Sequence, residues 1–172
     1  MRGFNGRVLI CGSRDFGVWI NPETQKKEID FGSVEFYAID SFLQGMYNDW
    51  DQFRGVSHLD PFVVIEGDAW GADRIAGWWA DHQHKNGLSK YVQHERYPAD
   101  WEKYGRGAGP IRNQSMLDLG KPTLVLAFSN DFSKSKGTLD MIKRSQKAEV
   151  PVVKVEVPRL TVKEDMNNMQ LF

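Results

Sequence analysis

Apolar positions along the chain fall into two rhythms. Short runs with the length of a strand recur: "RVLIC" (7–11), "PFVVIE" (61–66) and "PTLVLAF" (122–128) read as buried strands, and "VPVVKVEV" (150–157) as a last one. A weaker alternation, "KYVQHERYP" (90–98), predicts a more exposed strand. Between them the spacing is helical. In 34–50, Phe36, Ile39, Phe42, Leu43, Met46 and Trp50 share one face, with Ser33 placed to cap it. Ala72, Ile75, Ala76, Trp79 and Ala80 recur at i, i+3, i+4, i+7 and i+8, so one face of that helix packs on a sheet. "KGTLDMIKRSQKA" (136–148) predicts a third helix.

Buried strands alternating with helices imply an α/β fold with a parallel sheet, helices on both faces and right-handed crossovers. The expected arrangement is a Rossmann-like sheet with strand order 3-2-1-4-5. Its switch point lies between the first and fourth strands, and ligands bind in such a crevice, outside the strand carboxyl ends. Residues 1–157 are read as a single domain. Residues 14–32 are long for a loop; "VWIN" and "KKEIDF" flank "PETQ", a pattern for a small hairpin, either a lid, a subunit contact or a surface excursion. The tail 158–172 has no periodicity and reads as a loose end or an arm on a neighbour.

Composition narrows the function classes. A length of 172 residues allows one domain with a real core. A net charge of −1 supplies no global field toward DNA or an anionic membrane. No apolar run approaches the roughly 20 residues of a bilayer span. The start, "MRGFNGRVLICGS", does not read as a secretory signal. The single cysteine excludes an internal disulfide framework, and a cytoplasmic location is expected.

The candidate chemistry sits where strands end and helices begin. "CGSRDF" (11–16), "EGDAWGADR" (66–74), "YPADWEKYGRGAGPIRN" (97–113) and "FSNDFSKSKGT" (128–138) are four polar clusters. Three border one crevice, and the "GRGAGPIRN" loop closes its rim. Gly12 and Ser13 form a turn whose backbone N–H groups suit a phosphate, with Arg14 as a charged fork. Lys136, Gly137 and Thr138 form an anion cradle at a helix start. Glu66 and Asp68 are placed to meet ribose hydroxyls or to act as acid and base; Asp68 alternatively caps the helix, and Asp73 is a candidate ligand-binding residue or balances the helix dipole. Arg106 and Arg112 flank a glycine-proline turn and suit phosphate, or pair on the surface. Trp70 and Trp101 suit stacking on a base, or core packing. Cys11 reads as a small hydrophobe at a strand end. His82 and His84 point different ways on a helix, and no metal motif is present.

In chain order, "RVLICGSRDF", "VVIEGDAWGADRIAGWWA", "YPADWEKYGRGAGPIRNQSM" and "LVLAFSN…KGT" resemble the YspA-like (YAcAr) branch of the SLOG superfamily, over most of 7–157. That superfamily includes the Lonely Guy phosphoribohydrolases, the DprA proteins and sensors of NAD derivatives. The resemblance implies a Rossmann-like fold and a ligand built from a nucleotide or ADP-ribose. Gly12, Ser13 and Arg14 match the first motif; Glu66, Gly67, Gly71, Ala72 and Asp73 the second; Gly109, Pro110, Ile111, Arg112 and Asn113 the third. Asp68 stands where the branch usually has a second glycine. The phosphoribohydrolases carry an arginine before "PGGxGTxxE". Arg112 is similar to that arginine, and Gly137-Thr138 to its GT. The glycine pair is absent, Met141 occupies the glutamate position, and Asp140 lies one residue before it.

Three functions follow as expectations. The first is a protein that senses or sequesters a nucleotide- or ADP-ribose-derived small molecule, with no cofactor or metal, as a homo-oligomer. The second is an N-glycosidic hydrolase, in which Glu66, Asp68 or Asp140 must serve beside the anomeric carbon. The third is a DprA-like single-strand binder, disfavoured by the near-neutral charge. The expected pocket is lined by Ser13, Arg14, Glu66 and Thr138.

Overall fold

A computed structural model describes residues 6–54, 60–85, 87 and 89–158. His58 and the tail beyond Pro158 lie outside the described residues.

Five strands form one parallel sheet: β1 (Arg7–Gly12), β4 (Phe62–Glu66), β5 (Val92–Arg96), β6 (Leu124–Ser129) and β7 (Val152–Glu156). A separate antiparallel hairpin consists of β2 (Val18–Ile20) and β3 (Lys27–Ile29). The sheet order is β5-β4-β1-β6-β7. Numbered along the chain it therefore reads 5-4-1-6-7 in place of the expected 3-2-1-4-5, because the hairpin within 14–32 contributes two strands that stay out of the sheet. β1 is central, and its right-hand neighbour β6 pairs with it through Gly12↔Phe128.

The pleat divides the core in two. Val8 and Ile10, Phe62 and Val64, and Leu126 and Phe128 point to one face. There they pack against α1 (Val34–Arg54) and α2 (Ala72–Lys85) through Ile39, Leu43, Ile75, Ala76 and Trp79. Leu9 and Cys11, Val63 and Ile65, and Val125 and Ala127 point to the other face. They meet α4 (Ala108–Asp118) and α5 (Lys136–Lys147) through Met116, Leu117, Met141 and Ile142. Such alternation on a sheet covered on both sides is why the strands read as continuous apolar runs.

α1 starts where expected: the Ser33 hydroxyl caps it by accepting the Phe36 N–H at 3.0 Å. The stretch expected to be a glycine-proline loop is helical. Trp101–Tyr104 form a single turn, α3, capped by Asp100, and α4 follows after one 3-10 turn. Pro110 is the third residue of α4, inside the first turn, where a missing N–H costs no helical hydrogen bond.

Candidate functional site

A cleft of about 880 Å³ opens at the carboxyl ends of β1 and β6, the point at which the strand order reverses. It lies on the α4/α5 face, and its walls come from the turn after β1, the start of α2, α4, and the loop leading into α5.

Four features define its chemistry. The turn Gly12-Ser13-Arg14 forms one wall. The Ser13 N–H is already committed to the Phe128 carbonyl at 3.0 Å, so that amide is not open to a ligand. The Ser13 and Ser129 hydroxyls meet at 2.5 Å and tie the ends of β1 and β6 together. Opposite, Lys136, Gly137 and Thr138 start α5 and face the cleft, a helix N-terminus that favours negative charge. At the rim, the Arg14 guanidinium lies 5.5 Å from the centroid of the half-exposed Trp101 ring.

Arg112 is the fourth. It projects from α4, with a largely buried side chain, and its Nε donates to Asn113 Oδ1 at 3.0 Å. Its Nη1 donates to the Gly67 carbonyl and lies 3.6 Å from Asp73 Oδ2. A Cβ at position 67 would meet the guanidinium, so a larger residue there must displace Arg112 from this seat. Gly71 serves the neighbouring turn: it has φ +88° and abuts the Ser13 carbonyl, which brings the start of α2 against the end of β1. Asn113 also donates to the Gly137 carbonyl at 3.2 Å and to Asp140 at 2.9 Å, so it joins α4 to α5.

Asp73 is the buried carboxyl of the cleft. Burial pushes its pKa up to about 7; Arg112 opposes that rise, Glu66 adds to it, and the Gly67 and Ala69 N–H groups oppose it. Burial, with Asp73 beside it, also drives the Cys11 thiol far above its ordinary value, which leaves it no thiolate character. Asp140 is held below the usual carboxylate range: burial works the other way, but hydrogen bonds from Arg144 and Asn113 outweigh it.

The chain is 38% identical over 106 residues to the Gene 61 protein of Mycobacterium phage D29, a match that spans 60% of this chain and 81% of the phage protein. The chain belongs to the family of that protein. No protein-family model matches it. No solved structure matches it either.

Within this family member, Gly12, Ser13, Arg14, Asp73, Arg112, Asn113, Gly137 and Thr138 come together at the cleft. Gly67 stands behind Arg112. Four expected site residues lie elsewhere. Glu66 is a correction: it does not line the cleft, because its place in the β4 alternation follows Phe62 and Val64 and turns it to the α1/α2 face. There it is buried and accepts from His94 Nε2 at 2.9 Å, Arg96 Nε at 3.2 Å and the Asp68 N–H at 2.5 Å. Asp68 faces Arg74 at 3.6 Å and has φ +54°, the left-handed backbone that explains why glycine suits this position. Trp70 carries Arg74 over its ring at 4.2 Å and lines a second, open hollow against the hairpin. Arg106 is exposed in the 3-10 turn outside the cleft walls. The hairpin strands do not line the cleft either, so they form no lid over it in this structure. Trp101 lines the cleft, whereas Met141 is fully buried in the α4/α5 core.

Sequence reasoning missed the His94–Glu66 contact and the pairing of Asp73 with Arg112. A histidine placed so that it and a carboxylate both point inward from paired strands was the available signal. Among the described residues no helix is long and apolar enough to cross a membrane.

Proposed function

We propose that this protein captures a nucleotide- or ADP-ribose-derived small molecule in the cleft at the β1/β6 switch point, as a sensor or sequestering protein of the YspA-like SLOG type. The observation that carries the reading is the meeting, in one cleft, of a seated arginine, a helix N-terminus and a cationic aromatic rim. Arg112 and the start of α5 suit phosphate oxygens; Trp101, under Arg14, offers a ring face to a base. The volume falls within the range of small-molecule sites.

The hydrolase alternative has lost its best carboxylate. Glu66 is engaged away from the cleft, and Asp140 is bound to Asn113 and Arg144. Asp73 does line the cleft, but its Oδ2 is engaged by the Gly67 N–H and Arg112, so binding without turnover is the favoured reading. The test is a thermal shift and calorimetric titration with ADP-ribose and nucleoside monophosphates, with free base assayed in parallel. Binding by the wild type, weakened by about 1.5–3 kcal/mol in Arg112→Ala, supports the proposal. Release of free base, or equal responses of wild type and variant to every ligand, counts against it.

A further inference from the structure

The three residues that follow the β4 core reach in two directions. On the α1/α2 side, the Glu66 carboxylate is clamped by His94 and Arg96 and accepts the Asp68 N–H. On the cleft side, the Gly67 N–H donates to Asp73 at 3.1 Å, and the Gly67 carbonyl accepts Arg112. The turn thus joins a buried charge cluster to the arginine of the cleft.

We propose that Glu66 is a positioning residue for the cleft, not a catalytic one: clamped by His94, it holds the 66–68 turn that seats Arg112, so the protonation of His94 on one side of the sheet governs Arg112 on the other.

The geometry of His94 makes the clamp titratable. Its ring lies between two carboxylates, with Nε2 at 2.9 Å from Glu66 of β4 and Nδ1 at 3.0 Å from Asp81 of α2. Lys85 of α2 pairs with Asp81 at 3.3 Å, and Arg96 of β5 shares the Glu66 oxygen. On the cleft side, the Glu66 charge raises the pKa of Asp73. The ring fits this close because position 77 is glycine; a Cβ there would stand 2.9 Å from His94 Cε1. A charged ring donates to both carboxylates. A neutral ring keeps one N–H, so its other nitrogen faces a carboxylate lone pair to lone pair and one contact fails. Burial opposes the charge, but the hydrogen bonds to Glu66 and Asp81 outweigh it and raise the His94 pKa. The clamp is complete below that titration and loosens as pH rises through it.

The primary test needs no ligand. In the full chain, ¹⁵N NMR follows the His94 ring, the Gly67 amide and the Arg112 Nε–H through a pH titration, in wild type, Asp73→Asn and the Asp73→Asn/His94→Gln double variant. Asp73→Asn removes the nearby carboxyl that titrates on its own, while its amide oxygen still accepts the Gly67 N–H. The expected result is that in Asp73→Asn the Gly67 and Arg112 signals shift with the His94 midpoint, and that they lose that transition when His94→Gln is added. Gly67 and Arg112 signals that stay still in Asp73→Asn while His94 titrates, or that keep the same midpoint in the double variant, overturn the proposal. A second arm rests on the nucleotide reading. In the Asp73→Asn background, ADP-ribose, whose diphosphate keeps its charge over this range, should bind at least about 5-fold more weakly at about pH 9 than at about pH 6, with a flat profile when His94→Gln is added. No ADP-ribose binding alongside intact NMR coupling sinks the nucleotide reading alone; binding with no coupling sinks the positioning role alone.

Discussion

Gly67 and Asp73 act on Arg112 from opposite sides, and each has its own signature. A methyl group at position 67 meets the guanidinium, which is already fixed by Asn113 and Asp73 and has little room to yield. Gly67→Ala is expected to cost about 1–3 kcal/mol in denaturant unfolding, and to weaken the proposed nucleotide binding although residue 67 does not line the cleft. Asp73 is an acid whose pKa rises from 3.8 to about 7 on folding. The folded state then holds a proton that the unfolded chain has released, so this group makes stability fall as pH rises from about 3.8 to about 7. The slope is up to about 1.4 kcal/mol per pH unit. Asp73→Asn removes that slope. Chemical denaturation across the window should show the variant gaining on wild type as pH rises; parallel curves would mean that Asp73 ionises freely. Arg112→Ala also strips Asp73 of its cation and Gly67 of a donor, so its melting temperature should fall along with its affinity.

At the scale of elements, the strap that joins α2 to the sheet is electrostatic at one end and apolar along the rest. Ile75, Ala76 and Trp79 pack on β1 and β4, while Asp81 reaches His94 on β5. Burial works against ionised Asp81, but hydrogen bonds from His94 and Lys85 bring its pKa below the ordinary value. His94, with its raised pKa, contributes stability that is whole below about 6.5 and is lost as pH rises through its folded titration. His94→Gln should therefore be more costly at about pH 6 than at about pH 9. Urea unfolding at both values checks the sign; an equal cost at the two would place His94 in the fold as a neutral ring. α4 teaches a different lesson. Gly107, Gly109 and Pro110 look like loop residues, yet glycine is tolerated at a helix start and proline fits its first turn. Packing of Met116 and Leu117 on the sheet supplies what local propensity does not.

For the whole molecule, the cleft follows from the reversal of strand order at β1. α1 and α2 cover one face as the chain runs outward to β5, and α4 and α5 cover the other as it runs outward to β7, so the two sets of connections part between β1 and β6. A ligand there touches the end of β1, α4 and the start of α5, but not the hairpin. Hydrogen exchange with and without ADP-ribose should protect amides in 12–14 and 130–138, and leave those of β2 and β3 unchanged. Protection centred on the hairpin would move the site to the hollow beside Trp70 and Arg74.

The apolar rhythm alone determined the five sheet strands, the three long helices and the polar turns at the strand ends, because burial on both faces of a parallel sheet leaves a continuous apolar run and a one-sided helix leaves a 3.6-residue period. It also marked the turns of 12–14 and 136–138 as neighbours of one crevice. The tertiary structure decided what each polar side chain does there. Glu66 and Ser13 both end buried strands, but the pleat sends Ser13 into the cleft and Glu66 to the opposite face, under His94. Asp73 looked like a dipole partner and is the buried carboxyl beside Arg112; Trp70 looked like a stacking ring and carries Arg74 instead. Such partners lie far apart in the chain, as His94 does from Glu66, and local pattern holds no information about which distant group a side chain will meet.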